Sequence, residues 1–384
     1  MPDWRIEKCA LSASRKHGHE VIFAGLAPIV NYSAAVFTKI YDIAWTEGTK
    51  FGLPLHWAST KKQLNKVLKE SKPDIVHAHN IIAAKMISEF EVPFVYDDHE
   101  YTSVYVRGIA EPVRAHSSTT MLSKTNPHLF KHHIRKIVWN ALLKHRAIGL
   151  WTKWEKELLS LSVPTIVTTK EVAEDLRRKY TNRTDDRIFV VPNLPMESET
   201  PSLLGPKYHD RLSSAYAGAD WLYSANLRAH RNLEGLTDIF LKYNVGDLVM
   251  IGVNPSSIPP SSRIRYLEFL PRQLMYDEMS KHSIGLMAFK RHWSHKYKSP
   301  NKAYEYAHAG LFVMCTSSFS SVIESFGGNC SVFDEYDDLA SYLVYYRDNL
   351  EDLHRKRLKS FEFARRNLIW EKFEENLFRA YQIA

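Results

Sequence analysis

The chain has 384 residues, 45% of them hydrophobic and 24% charged, which is enough for two domains of ordinary size and typical of a soluble globular protein. Its net charge of +8 suits anionic partners (a nucleotide, a phospholipid surface, nucleic acid) without choosing among them. Cys9, Cys315 and Cys330 lack disulfide or metal spacing, no signal peptide is visible, and no apolar run reaches the roughly 18–20 residues that span a bilayer, so a cytoplasmic protein is expected.

In chain order, strand-like runs alternate with helical patterns, as βαβ units and parallel sheets require. Strands are expected at 19–25, 74–79, 93–98, 164–169 and 187–192. A polar, proline-containing stretch over 193–212 then interrupts the pattern, and the domain boundary is placed in it. The alternation restarts with strands at 219–223, 247–252, 283–287 and 311–315. Two α/β domains, 1–197 and 198–365, are therefore expected to face each other across a cleft, with a final helix over 366–384. Open α/β sheets bind ligands beyond the carboxyl ends of their strands. The final helix carries Trp370, Phe373, Leu377 and Tyr381 on one face. By pattern alone it can close the second domain or cross back onto the first.

His99 follows the strand at 93–98 and so faces the cleft, where it can hydrogen-bond or move a proton; a lone histidine is also often structural. His77 and His79 share one face of a strand. A metal there would need further ligands, none of which shows paired spacing, so packing is favoured over catalysis for both. The segment 127–161 is basic and aromatic, and both an anionic membrane surface and a domain helix with a charged outer face fit it. The run Ser299-Pro-Asn-Lys-Ala-Tyr-Glu-Tyr-Ala-His-Ala-Gly310 reads as a loop, a short helix and a glycine stop before a buried strand. Its helix start offers N–H groups to an anion, and Glu305, one turn in, could accept two vicinal hydroxyls. From spacing alone an ordinary αβ unit with Glu305 on a solvated face is the favoured reading.

The run at 299–310 resembles the donor-binding motif S-P-x-K-x-x-E-Y-x-x-x-G of the retaining family 4 glycosyltransferases of GT-B fold. The segments Pro73-Asp-Ile-Val-His-Ala-His79 and Pro93-Phe-Val-Tyr-Asp-Asp-His-Glu100 resemble further motifs of that family, in the family's order. The resemblance implies two Rossmann-like domains. It makes Glu305 the ribose ligand and His99 the residue beside the donor sugar, with Glu100 and His79 on the acceptor side. The family's diphosphate clamp matches Asn226 and Arg231, and Arg228 could supply a second charge from two residues away, though a solvated basic loop also fits Arg228. Leu270 stands in the base-gripping loop, and Ser299, Asn301 and Lys302 stand at the helix start. A second family glutamate is replaced by Tyr297.

The segment Asp3-Trp-Arg-Ile-Glu-Lys-Cys-Ala-Leu11 resembles one that in the family follows the first β-strand, so that strand is expected to be missing. The implied activity is retaining transfer from a nucleoside-diphosphate sugar, UDP or GDP, to a glycan or lipid-linked acceptor, in glycan, polysaccharide or glycolipid assembly. Neither a bound metal nor another cofactor is expected, nor a nucleic-acid partner. A peripheral site on the cytoplasmic membrane face is expected through 127–161. A sugar-nucleotide epimerase and a degenerate GT-B protein that binds nucleotide or a partner subunit are the alternatives; Tyr297, Asn226 and the missing strand favour the latter.

Overall fold

The computed structural model describes residues 4–26, 36–44, 56–111, 142, 145–146, 148–180, 187–218, 229–253 and 261–384. The amino-terminal half runs α1 (Trp4–His17), β1 (Ile22–Leu26), β2 (Lys39–Ile43), α2 (Trp57–Ser71), β3 (Val76–His79), α3 (Asn80–Ile87), β4 (Phe94–Asp97) and α4 (Thr102–Ala110). A helix over 148–160, α5, then leads to β5 (Thr165–Val167), α6 (Lys170–Lys179) and β6 (Ile188–Val190). All pairings are parallel, in two pieces: β1 with β2, and β3-β4-β5-β6.

The second half forms one six-stranded parallel sheet in the order β12-β11-β10-β7-β8-β9. Its strands are β7 (Ser213–Ala217), β8 (Asp247–Ile251), β9 (Ile264–Leu267), β10 (Ile284–Met287), β11 (Phe312–Thr316) and β12 (Ser331–Phe333). Its helices are α7 (Leu236–Lys242), α8 (Arg272–Met279), α9 (Asn301–His308), α10 (Ser320–Phe326), α11 (Tyr336–Asp348) and α12 (Leu350–Asn367), and α13 (Glu374–Gln382) follows. Strand order reverses between β7 and β10, which opens a crevice beyond their carboxyl ends.

Most expected strands fall within a few residues of observed ones, but the second sheet opens differently. The strand expected at 219–223 lies outside the described residues, and β7 precedes it. Its sequence Ser213-Ser-Ala-Tyr-Ala217 contains no β-branched aliphatic residue, so strand propensity does not mark it, although Ala215 and Tyr216 are fully buried. Strands β2, β9 and β12 were not expected; β9 ends at Leu267, where the expected base-gripping loop over 267–272 begins.

Helix α9 is held against the sheet by a glycine. A Cβ on Gly285 of β10 would lie 2.3 Å from Cγ of Tyr306, whose hydroxyl accepts the Ala217 N–H at 2.7 Å. Gly285→Ala should therefore destabilise the protein by about 1–3 kcal/mol through overpacking. A urea titration would show this as a lower midpoint at unchanged m-value. Gly310 ends the helix at φ +80°, and a Cβ there would meet Pro206 at 2.9 Å.

The final helix crosses back: Leu377 and Ala380 of α13, with Trp370, pack on Val95, Ile166 and Phe189 of the first sheet. No helix among the described residues is long and apolar enough to cross a membrane.

Candidate active site

Glu305 lies one turn into α9, whose start at Pro300 carries no side-chain cap. Its neighbours come from three other segments. Lys8 of α1, buried, and Glu199 of the interdomain stretch and Arg272 of α8, both half-buried, form a chain of ion pairs, with Lys8 Nζ 3.4 Å from Glu199 and Arg272 paired with both Glu199 and Glu305. The Arg272–Glu305 separation is 3.8 Å, and Glu305 takes no hydrogen bond among the described residues although it is only 8% exposed. Burial raises its carboxyl above the ordinary range, and Arg272 and Lys8 offset this only in part. Burial likewise lowers the Lys8 ammonium against the pull of Glu199. A buried carboxylate without hydrogen bonds is costly, and two hydroxyl donors would relieve it. The solvated-face reading of Glu305 is thus corrected: the carboxyl is buried.

Lys302 aims its ammonium at the Tyr216 hydroxyl, 2.9 Å away, over the rings of Tyr216 and Phe289. Ser299 is buried, and its Oγ accepts the Asn193 N–H at 3.0 Å across the domain boundary. Asn301 is half-buried at the helix start. Leu270, half-buried just before α8, packs on the second-domain core.

A second centre forms around Asp97 at the carboxyl end of β4. The Arg5 guanidinium donates to its Oδ2 at 2.7 Å, and His77 Nε2 and His79 Nδ1 approach the same oxygen at 3.2 and 3.3 Å. His99 Nδ1 lies 3.7 Å from the other oxygen, and the His99 ring stands edge-on to His79. Burial alone would raise the Asp97 carboxyl, but Arg5 and the three histidines outweigh it and hold it well below the usual carboxylate range. Burial lowers His79 to about 4, so its imidazole is neutral at pH 7. His77 Nδ1 meets the Tyr381 hydroxyl at 2.8 Å, which ties α13 to this centre.

Cys9, His77, His79 and Asp97 offer ligand atoms within 4.8 Å of one another, the one metal-capable group among the described residues. Its carboxylate is already engaged by Arg5, so a cation would compete with a guanidinium. Arg5 also donates to the Asn193 side chain at 2.9 Å, and Asn193 binds Ser299. One hydrogen-bonded path, Asp97–Arg5–Asn193–Ser299, therefore joins the two centres.

The loop carrying His99 is held from behind. Tyr101 adopts φ +48°, a strained value for a non-glycine residue, and its hydroxyl donates to Asp175 and accepts Lys179 Nζ at 2.7 Å. Tyr297 packs edge-on against Tyr101, so the residue at the family's second glutamate position is a domain-bridging contact. Asp98 accepts the Thr102 N–H at 3.0 Å, and burial, then repulsion from Glu155, pushes its carboxyl up to about 7.

A raised acid favours folding while protonated, so its stabilising contribution is full below its unfolded value and is lost as pH rises through about 7. Buried histidines such as His79, depressed in the fold, act in the opposite sense as pH falls. Relative to Asp98→Asn, the wild type should therefore lose several degrees of Tm between pH 5 and pH 8. Parallel slopes in thermal melts would refute it.

Arg231 is exposed on a turn at Ala229–Arg231, beside the loop after β10, where His295 Nε2 meets the His230 carbonyl at 2.8 Å. Asn226 and Arg228 lie outside the described residues, as do 127–141 of the basic segment. Within the rest of that segment, Trp151 and Trp154 are core residues packed with Tyr96 and Ile81, so they present no interfacial aromatic face. Glu100 is exposed beside His99. Arg272 and Glu199 carry no sequence signal of their own; Arg272 begins α8 directly after the loop that holds Leu270.

Residues 11–194 match the family model described as Glycosyltransferase Family 4. No curated protein matches the chain. Among solved structures, sucrose-phosphate synthase from Thermosynechococcus elongatus is similar with TM-score 0.67 at 10% identity, covering 99% of this chain and 92% of that one. A glycosyltransferase from Rickettsia africae gives TM-score 0.61 at 12% identity, covering 98% and 94%. HepE of Anabaena in complex with UDP and glucose gives TM-score 0.62 at 10% identity, covering 98% and 95%.

Proposed function

Residues 11–194 are a Glycosyltransferase Family 4 domain on a GT-B frame, so the chain is a glycosyltransferase, and we propose that it moves a sugar with retention from a nucleoside-diphosphate sugar to an acceptor hydroxyl. The observation that carries this reading is Glu305, a buried carboxylate with no hydrogen bond among the described residues, one turn above a helix start without a side-chain cap. It accepts the two ribose hydroxyls. The α9 N–H groups, Lys302 and Ser299 take the diphosphate with Arg231, Asn226 and Arg228, and the Leu270 loop holds the base. HepE in complex with UDP and glucose supports a uridine nucleotide over a guanosine one.

The bond from the anomeric carbon to the diphosphate oxygen breaks as the acceptor oxygen bonds that carbon on the same face. The acceptor proton passes to the departing diphosphate. His99, oriented through Asp97, lies beside the sugar, and Glu100 and His79 face the acceptor. Positioning and preorganised charge supply the rate enhancement, with no metal required. The acceptor class we propose is a glycan or lipid-linked saccharide at the cytoplasmic membrane face. The basic residues of 127–161, rather than its buried tryptophans, would provide the membrane attraction.

Arg231→Ala should weaken nucleoside diphosphate binding about tenfold, the loss of one charge-assisted contact. Unchanged affinity by calorimetry would remove Arg231 from the site. The reaction itself is tested by incubating the chain with UDP-sugars and saccharide acceptors and reading the product's anomeric configuration by NMR. Retention is expected. Inversion would refute the mechanism, and tight binding without turnover would favour the degenerate alternative that Tyr297 suggests.

A further inference from the structure

His77 and His79 stand on one face of β3, with ring centroids 4.2 Å apart. Two further donors meet them from other elements, Cys9 from α1 and Asp97 from the end of β4. The four ligand atoms lie within 4.8 Å of one another. In tetrahedral zinc sites, with bonds of about 2.0 Å to nitrogen and about 2.3 Å to sulfur, neighbouring donors sit about 3.3–3.8 Å apart. The set is therefore about 1 Å wider than a filled site, a gap that small side-chain rotations close.

The histidine nitrogens converge. His77 Nε2 and His79 Nδ1 both approach Asp97 Oδ2, at 3.2 and 3.3 Å. The outer nitrogen of His77 meets the Tyr381 hydroxyl at 2.8 Å, the kind of support that fixes the tautomer and ring angle of a ligand histidine. Arg5 competes with a cation for Oδ2, to which it donates. Asp97 Oδ1 is buried and makes no hydrogen bond among the described residues, with His99 Nδ1 standing off at 3.7 Å. A buried carboxylate oxygen without a partner is costly, and an incoming cation relieves that cost. Cys9, His77 and His79 also line a cavity of about 1450 Å³, which gives an ion its entry path. One thiolate, two imidazoles and one carboxylate suit a borderline dication such as zinc, whereas magnesium and calcium take shells of oxygens.

We propose that Cys9, His77, His79 and Asp97 bind one zinc-class dication, at an accessory site that the transfer reaction does not need. On binding, the Cys9 thiol gives its proton to solvent and the thiolate sulfur bonds the metal. The two charges of the ion then meet that thiolate and the Asp97 carboxylate, and the filled site ties α1 to β3 and β4.

The probe is cobalt(II), whose spectrum reports its ligands. Titrated into the chelator-stripped chain, one ion should bind per chain, with a near-ultraviolet sulfur-to-metal charge-transfer band and the strong visible bands of four-coordinate cobalt. Zinc should displace it and at saturation raise Tm by several degrees. Millimolar magnesium should do neither. Cys9→Ser should lose the near-ultraviolet band and weaken binding by about tenfold or more, whereas a variant carrying both Cys315→Ser and Cys330→Ser should keep the band and the affinity. Should melting curves show Cys9→Ser unfolded, His79→Gln decides in its place, with binding weakened about tenfold or more. No binding to the wild type would overturn the site. So would a sulfur band that survives Cys9→Ser or disappears with Cys315 and Cys330, or unchanged affinity in His79→Gln.

Discussion

Replacing Glu305 by alanine should lower sugar transfer by about 10²–10³-fold while leaving the fold intact or slightly more stable. The two effects have one origin. Glu305 is buried, carries a carboxyl raised by burial, and makes no hydrogen bond among the described residues; its best partner is Arg272 at 3.8 Å. Such a group costs stability in the free protein and gains it back only when hydroxyl donors arrive, the usual sign of a site shaped for a ligand. A variant with full activity would sink the ribose assignment. A variant that unfolds would make Glu305 a structural residue of the Lys8–Glu199–Arg272 chain.

The second large effect is on stability. Arg5→Met should cost about 3–5 kcal/mol, because it leaves the Asp97 carboxylate charged and fully buried without its guanidinium. The histidines around Asp97 cannot replace that charge while neutral, and burial keeps His79 neutral at pH 7. Removing the charge as well, in Arg5→Met with Asp97→Asn, should recover much of the loss, a coupling that a double-mutant cycle in urea reads directly. A single variant that loses less than about 1 kcal/mol would show that solvent or the histidines compensate. Arg5 also bonds the Val191 carbonyl and Asn193, so the single variant should loosen the path toward Ser299 as well.

Strand ends and helix starts were legible because they are local. His99 follows an apolar run, and Glu305 follows a Pro-x-Lys helix start, so both could be selected from a few neighbouring residues. The partners that define their chemistry were not legible, because they come from distant segments. Asp97 is set by Arg5, 92 residues earlier, and Glu305 by Lys8 and Arg272. A carboxylate's burial is invisible in a sequence that shows only an Asp-Asp-His run.

Strand β7 escaped for a different reason: a central strand crossed by large neighbours favours the small residues Ser213, Ser214, Ala215 and Ala217, which carry little strand propensity. Over 148–160 the amphipathic pattern left two faces open, and packing chose the one that buries Trp151 and Trp154. The final helix was equally ambiguous until its apolar face met Val95, Ile166 and Phe189.

The most direct measurement is calorimetric titration of UDP, GDP, dTDP and ADP into the chain and into Glu305→Ala. One nucleoside diphosphate, UDP, should bind the wild type, with binding lost or greatly weakened in a variant whose melting curve shows it folded. Equal binding to both proteins, or no binding of any of the four to a folded wild type, would contradict a donor site built on α9.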